Sequence, residues 1–134
     1  MKIILFTDSL GAGGAQRQLV GLAKLLHEKE HDVTVLTYHQ DEFYLPFLQE
    51  HNIKYVLLQN VQQALKRIIA VIKFVKQECP DTLIAYQETP SLIACIVKMC
   101  CPKTKVIVSE RNTTQKLDFS TKLRFFLYKW ADKI

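Results

Sequence analysis

Five apolar runs of strand length alternate with segments whose apolar residues recur every three or four positions, and no long linker separates them. No other feature of the chain narrows its fold as much. The runs are Lys2–Thr7, Asp32–Tyr38, Lys54–Leu58, Thr82–Tyr86 and Lys105–Ser109. The first is continuously apolar from Ile3 to Phe6 rather than alternating, which suits a strand covered on both faces, and the second is rich in β-branched residues. Between them, helices are predicted from Ala15 to Lys29, from Val61 to Glu78 and from Pro90 to Cys101, with a short one from Phe43 to His51 interrupted near Pro46. Pro80 and Pro102 end the second and third of these. A polar loop from Glu110 to Asp118 and a last helix from Ser120 to Asp132 complete the order. Strict alternation makes the strands parallel, and 134 residues suffice for one domain. The expected fold is α/β: a three-layer doubly wound, Rossmann-like parallel sheet.

Charge is confined rather than spread. The net charge is +5. Residues 98–134 hold nine Lys or Arg against three Asp or Glu, whereas residues 1–97 hold nine against ten. A basic tail on a nearly neutral body argues against a nucleic-acid-binding domain and points to a local anionic partner. With 49% apolar and 23% charged residues, disorder is excluded as well. In the tail, Lys122, Arg124 and Lys129 interleave with Phe125 and Tyr128, a pattern suited to an anionic membrane surface. The same helix admits a plainer reading, with Leu123, Phe126, Leu127 and Trp130 as a core-facing stripe.

Cys79, Cys95, Cys100 and Cys101 show no C-x-x-C spacing and are read as buried or half-buried thiols of a reducing compartment. The first apolar run is too short for a signal peptide, and nothing approaches the ~18 apolar residues of a membrane span. The expected location is cytoplasmic, with a peripheral place on the inner face of the cell membrane.

Doubly wound sheets bind ligands beyond the carboxyl ends of their strands. That rule selects Asp8–Gly14, Tyr38–Asp41, Tyr86–Pro90 and Ser109–Thr114. The first holds Gly11, Gly13 and Gly14 at a strand-to-helix junction, where glycines allow a sharp turn and a close backbone approach to a phosphate. Gln16 stands where a dinucleotide fingerprint needs its third glycine, and Gly-Lys-Ser/Thr of a nucleotide-binding P-loop is absent. Asp8 and Ser9 end the first strand. Glu88 and Thr89 follow the fourth, where Glu88 either holds a hydroxyl or caps the helix opened by Pro90. His39, at the end of the second strand, is a further candidate.

Residues 1–38 resemble the opening of the GT-B-fold glycosyltransferases of family 4. Gly13-Gly14-Ala15-Gln16 is similar to their Gly-Gly-Ala-Glu, and Glu30-His31-Asp32-Val33 to their Gly-His-Glu-Val. Val108-Ser109-Glu110-Arg111-Asn112 is similar to a second signature of the family. The resemblance covers essentially the whole chain. It implies the N-terminal, acceptor-side half of a two-domain enzyme whose C-terminal nucleotide-sugar domain is absent from this chain. It implies backbone amides of Gly13 and Gly14, with Gln16 beside them, near a donor diphosphate or an acceptor. Glu110, Arg111 and Asn112 would approach the acceptor, with Arg111 in place of the histidine that many members carry. The implied reaction is hexose transfer, with retention, from a nucleotide sugar to a saccharide or lipid-linked acceptor in cell-surface polysaccharide or glycoconjugate synthesis. No metal and no cofactor beyond the donor substrate is implied. A binding subunit without catalysis, paired with a separate catalytic domain at the membrane, is the alternative. A response-regulator-like domain fits less well, because Leu57-Leu58-Gln59 stand where its phosphoacceptor Asp would be.

Overall fold

A computed structural model describes residues 1–59 and 63–109. The elements are β1 (Lys2–Phe6), α1 (Gly14–Glu28), β2 (Asp32–Thr37), α2 (Leu45–Glu50), β3 (Lys54–Leu57), α3 (Ala64–Glu78), β4 (Thr82–Tyr86), α4 (Glu88–Cys100) and β5 (Lys105–Ser109). All five strands are parallel, in the order β3-β2-β1-β4-β5. The chain therefore winds outward one way from β1 and then the other way from β4. The switch point lies between these two strands.

The apolar runs are explained by the two faces of the sheet. Successive side chains of a strand point to opposite faces. From β1, Ile4 and Phe6 enter a core with Leu36, Leu83 and Val106, closed by Val71 and Val75 of α3 and by Ile93, Ala94 and Val97 of α4. Ile3 and Leu5 enter the opposite core with Val33, Val35, Leu19, Val20 and Ala23 of α1, and Leu48 of α2. Ile4, Leu5 and Phe6 are wholly buried. The three-layer doubly wound architecture expected from the sequence is the one found.

Element ends depart from expectation for local reasons. Pro46 falls in the first turn of α2 and opens that helix rather than interrupting it, since no intrahelical N–H is needed there. Pro90 is likewise the third residue of α4, which begins at Glu88. Glu88 is thus the first residue of the helix, not its cap, and its charge suits the positive end of the helix dipole. The N-cap is Gln87. The expected start of α3 at Val61 lies outside the described residues, as do the loop and helix expected after Ser109.

The end of α1 is a Schellman motif: Glu30 N–H donates to His27 O at 3.0 Å and His31 N–H to Leu26 O at 3.1 Å. Glu30 has φ 67° there, in the left-handed position that the resembled family fills with glycine. Of the thiols, Cys95 is buried and Cys101 partly so, but Cys79 and Cys100 are exposed, contrary to expectation. Each ends a helix at the amino-terminal edge of the sheet, where little covers it. Burial pushes the Cys95 thiol up to about 11.

Candidate functional site

β1 ends against β4, and this pairing assembles the site. Asp8 follows β1, Gln87 follows β4, and Gln16 lies in the first turns of α1 with only 6% of its surface exposed. The Asp8 carboxylate accepts from Ser9 N–H at 2.6 Å and from Gln16 Nε2 at 3.2 Å, both at Oδ1. With the Gln87 amide oriented so that donors meet acceptors, its Nε2 donates to Asp8 Oδ1 at 2.6 Å and to Thr7 Oγ1 at 3.2 Å. Its Oε1 then accepts from Gln16 Nε2 at 3.1 Å. Two neutral amides and a backbone N–H thus hold one carboxylate.

The backbone of Gln87 is itself unusual, at φ 74° and ψ 171°. That region is almost confined to glycine. Ser91 holds it there: its N–H and its hydroxyl donate to Gln87 O at 3.1 and 2.5 Å. Gln87 N–H in turn donates to Ser109 O at 3.1 Å. Gln87 was not among the residues singled out from sequence. Its place directly after a strand was the signal, but a glutamine gives no hint of a positive φ.

Gly11 and Gly13 leave space for neighbouring side chains, and the turn they flank needs no left-handed residue. No glycine has positive φ, and Gly13 is an extended N-cap at φ −112°, ψ 163°. A Cβ on Gly11 would lie 2.7 Å from Asp41 Oδ2, and one on Gly13 would collide with Gln16 Oε1. A Cβ on Gly14 would meet nothing within 4 Å. The expected sharp turn is present, Gly13 N–H donating to Gly11 O at 2.8 Å, and it is made without a positive φ; Gly11 and Gly13 also leave room for the Asp41 and Gln16 side chains.

No side chain caps α1, and its first turn carries no acid. Its leading N–H groups therefore open onto a cavity of about 350 Å³ lined by Gly13, Gly14, Ala15, Gln16, Gln87 and Ser109. Such an end attracts anions, phosphate above all. On the other side of Gln87 lies a second, almost wholly polar cavity of about 280 Å³. Asp8, Tyr38, His39, Arg67, Glu88 and Thr89 line it. The Arg67 guanidinium lies 4.1 Å from the centre of the Tyr38 ring. Burial pushes the Tyr38 phenol up to about 12, with Arg67 opposing the rise and Asp8 adding to it.

The structure therefore gathers Asp8, Gly13, Gly14, Gln16, Glu88 and Thr89 around Gln87, with Ser9 bound to the same carboxylate. Arg67 was the second residue missed, since on a basic helix it reads as a solvated cation. Glu110, Arg111, Asn112, Lys122, Arg124, Phe125, Tyr128 and Lys129 lie outside the described residues. Among the described residues, no three His, Cys, Asp or Glu side chains form a group that could hold a metal ion.

Residues 12–134 match the profile of Glycosyltransferase Family 4. The chain belongs to that family. A relative in Campylobacter jejuni is 31% identical over 121 residues, spanning 84% of this chain and 33% of its own length. It is the GalNAc-alpha-(1->4)-GalNAc-alpha-(1->3)-diNAcBac-PP-undecaprenol alpha-1,4-N-acetyl-D-galactosaminyltransferase. Anabaena HepE, solved in complex with UDP, superposes with a TM-score of 0.75 at 16% identity, over 98% of this chain and 36% of that one. The UDP-GlcNAc 2-epimerase of Neisseria meningitidis, bound to UDP-GlcNAc, gives 0.71 at 14% identity, over 98% and 38%. The chain thus spans about a third of the length of the proteins it matches. The structural likenesses establish the fold, which is that of the N-terminal domain of a GT-B protein. The family match adds that this domain is of the glycosyltransferase kind.

Proposed function

We propose that the chain is the acceptor-side half of a glycosyltransferase that moves a hexose from a nucleotide sugar to a lipid-linked saccharide, with retention of configuration. The uncapped start of α1, opening beside the Asp8–Gln16–Gln87 network, carries this reading. N–H groups at Gly14 and the residues after it suit the donor diphosphate, and Gly13 lets Gln16 close against the loop. The helix end supplies the partial positive charge, so the reading needs no metal. Glu88 and Thr89 border the acceptor side. Glu110, Arg111 and Asn112, directly after β5, would reach the same cleft.

The relative's undecaprenol-linked substrate supports a lipid-linked acceptor, and with it a working place at the inner face of a cell membrane. Among the described residues, no helix is long and apolar enough to cross a membrane. Lys122, Arg124, Phe125, Tyr128 and Lys129 are proposed as the contact with anionic lipid, in glycoconjugate or surface-polysaccharide synthesis. A second doubly wound domain would grip the nucleotide and close the cleft.

The test is transfer of radiolabelled N-acetylhexosamine from its UDP sugar to a polyprenyl-diphosphate-linked saccharide. The 134 residues alone should be inert, and the same residues joined to a GT-B C-terminal domain should turn over. Robust transfer by the 134 residues alone would refute the half-enzyme reading. Acceptor binding without any transfer, by the joined protein, would favour a binding subunit instead.

A further inference from the structure

The body of the chain is nearly neutral only on average. Four of the cations in residues 1–97 stand on α3: Lys66, Arg67, Lys73 and Lys76, against Glu78 as its single acid. The rest of residues 1–97 holds five cations against nine acids. Glu78 is engaged by Lys2 at 2.7 Å, and among the described residues no ion pair involves Lys66, Lys73 or Lys76. Arg67 turns inward over the Tyr38 ring, whereas the three lysines are exposed. α3 is thus a basic helix on an acidic remainder.

Apolar side chains share its outer face. Val71 and Val75 enter the core, but Leu65 is 69% exposed and Ile69 43%, with Ile72 half-buried. At about 100° per residue, Leu65, Ile69 and Ile72 form one strip. Lys66 and Lys73 lie beside it and Lys76 at its end. A single exposed leucine is ordinary; an aliphatic strip edged by unpaired lysines calls for a partner.

An acidic protein surface and an anionic bilayer both match cations beside an apolar strip. Protein interfaces are depleted in lysine and anchored by Trp, Tyr or Arg. This face carries lysine as its only cation and none of those three anchors. It is also the convex outer side of a helix, not a groove. On a bilayer, lysine stems lie along the apolar surface and raise their ammonium groups to lipid phosphates, while aliphatic side chains sink below them. The chemistry favours the bilayer.

We infer that the outer face of α3 lies in the plane of an anionic lipid surface, with Leu65, Ile69 and Ile72 inserted among the headgroups and Lys66, Lys73 and Lys76 on lipid phosphates. The helix starts beside the candidate site, because Arg67 near its beginning lines the cavity with Asp8 and Thr89. A bilayer along α3 therefore brings headgroups to the mouth of the site. For its purpose this rests on the lipid-linked acceptor proposed above; the surface itself is separate from the tail residues named there.

The test is co-sedimentation of the 134-residue chain with vesicles of phosphatidylcholine, with and without one third phosphatidylglycerol. Binding should require the anionic lipid and weaken with salt. Each lysine contributes about fivefold, so Lys66→Gln/Lys73→Gln/Lys76→Gln should weaken partitioning about a hundredfold. Leu65→Gln/Ile69→Gln should weaken it about tenfold. These positions are exposed, and circular dichroism should show the fold kept; should the second variant fail to fold, the lysine variant carries the test. Unchanged partitioning of the folded lysine variant overturns the inference, and binding lost only in Phe125→Ser/Tyr128→Ser assigns the membrane to the tail instead. No vesicle binding, together with a dimer that Leu65→Gln/Ile69→Gln dissociates, would make the face a contact between copies. In the joined two-domain protein, the lysine variant should raise KM for a polyprenyl-linked acceptor in vesicles but not for a water-soluble acceptor. Transfer unaffected on both overturns the α3 surface and leaves the transferase reading standing. Lysine-dependent vesicle binding without transfer does the reverse.

Discussion

Gln87 holds the site together at the cost of its own backbone. At φ 74° and ψ 171° a side chain costs on the order of 1–3 kcal/mol, and its amide returns bonds to Asp8, Thr7 and Gln16. Glycine and alanine at this position separate the two effects. Gln87→Ala keeps the strain and loses the bonds, and should lower stability by about 1–2 kcal/mol. Gln87→Gly loses the same bonds but relaxes the backbone, so urea unfolding should place it about 1 kcal/mol above Gln87→Ala. Both should impair binding at the glycine loop, because Gln16 and Asp8 are no longer tied. Alanine the more stable of the two would contradict the strain.

At the scale of the element, α1 shows how a helix start becomes a binding surface. Its N-terminal amides are uncapped, and its neighbouring glycines have different tasks. Gly14→Ala meets empty space and replaces glycine by a better helix former, so thermal unfolding should show stability kept or raised by a few tenths of a kcal/mol. Gly13→Ala must displace the Gln16 amide, and with it one bond to Asp8. That variant should lose about 1 kcal/mol and most of any affinity for a nucleotide sugar. Equal behaviour of the two variants would show that the loop does not depend on the Gly13–Gln16 contact.

At the scale of the molecule, the core that holds Phe6 meets the site through Tyr38. Its ring packs edge-on against Phe6, with centroids 5.8 Å apart, and against His39 at 4.7 Å. The folded phenol titrates near 12, against about 10 when unfolded. The folded state therefore favours the neutral form. This contribution is fully present below about pH 10 and is lost as pH rises through 12. Tyr55, also raised by burial, adds in the same sense. Urea midpoints should fall steeply over this window, and Tyr38→Phe should flatten the fall. A wild-type midpoint insensitive to pH between 10 and 12 would show that Tyr38 is not buried as described.

Much of the molecule was legible along the chain. Apolar runs covered on both faces, three- and four-residue periods, and prolines at helix ends determine the order of elements and the three layers, because local periodicity records which faces are buried. The glycine loop was legible too, since its position after the first strand suffices to place it at a ligand-binding edge. Periodicity does not record which strand lies beside which. The pairing of β1 with β4 was decided only by the tertiary structure, and it carries Thr7 to Gln87 across 80 residues. The same holds for Arg67 over Tyr38 and for the positive φ of Gln87. Each depends on what packs around the residue, and a single side chain in sequence carries no record of its neighbours in space.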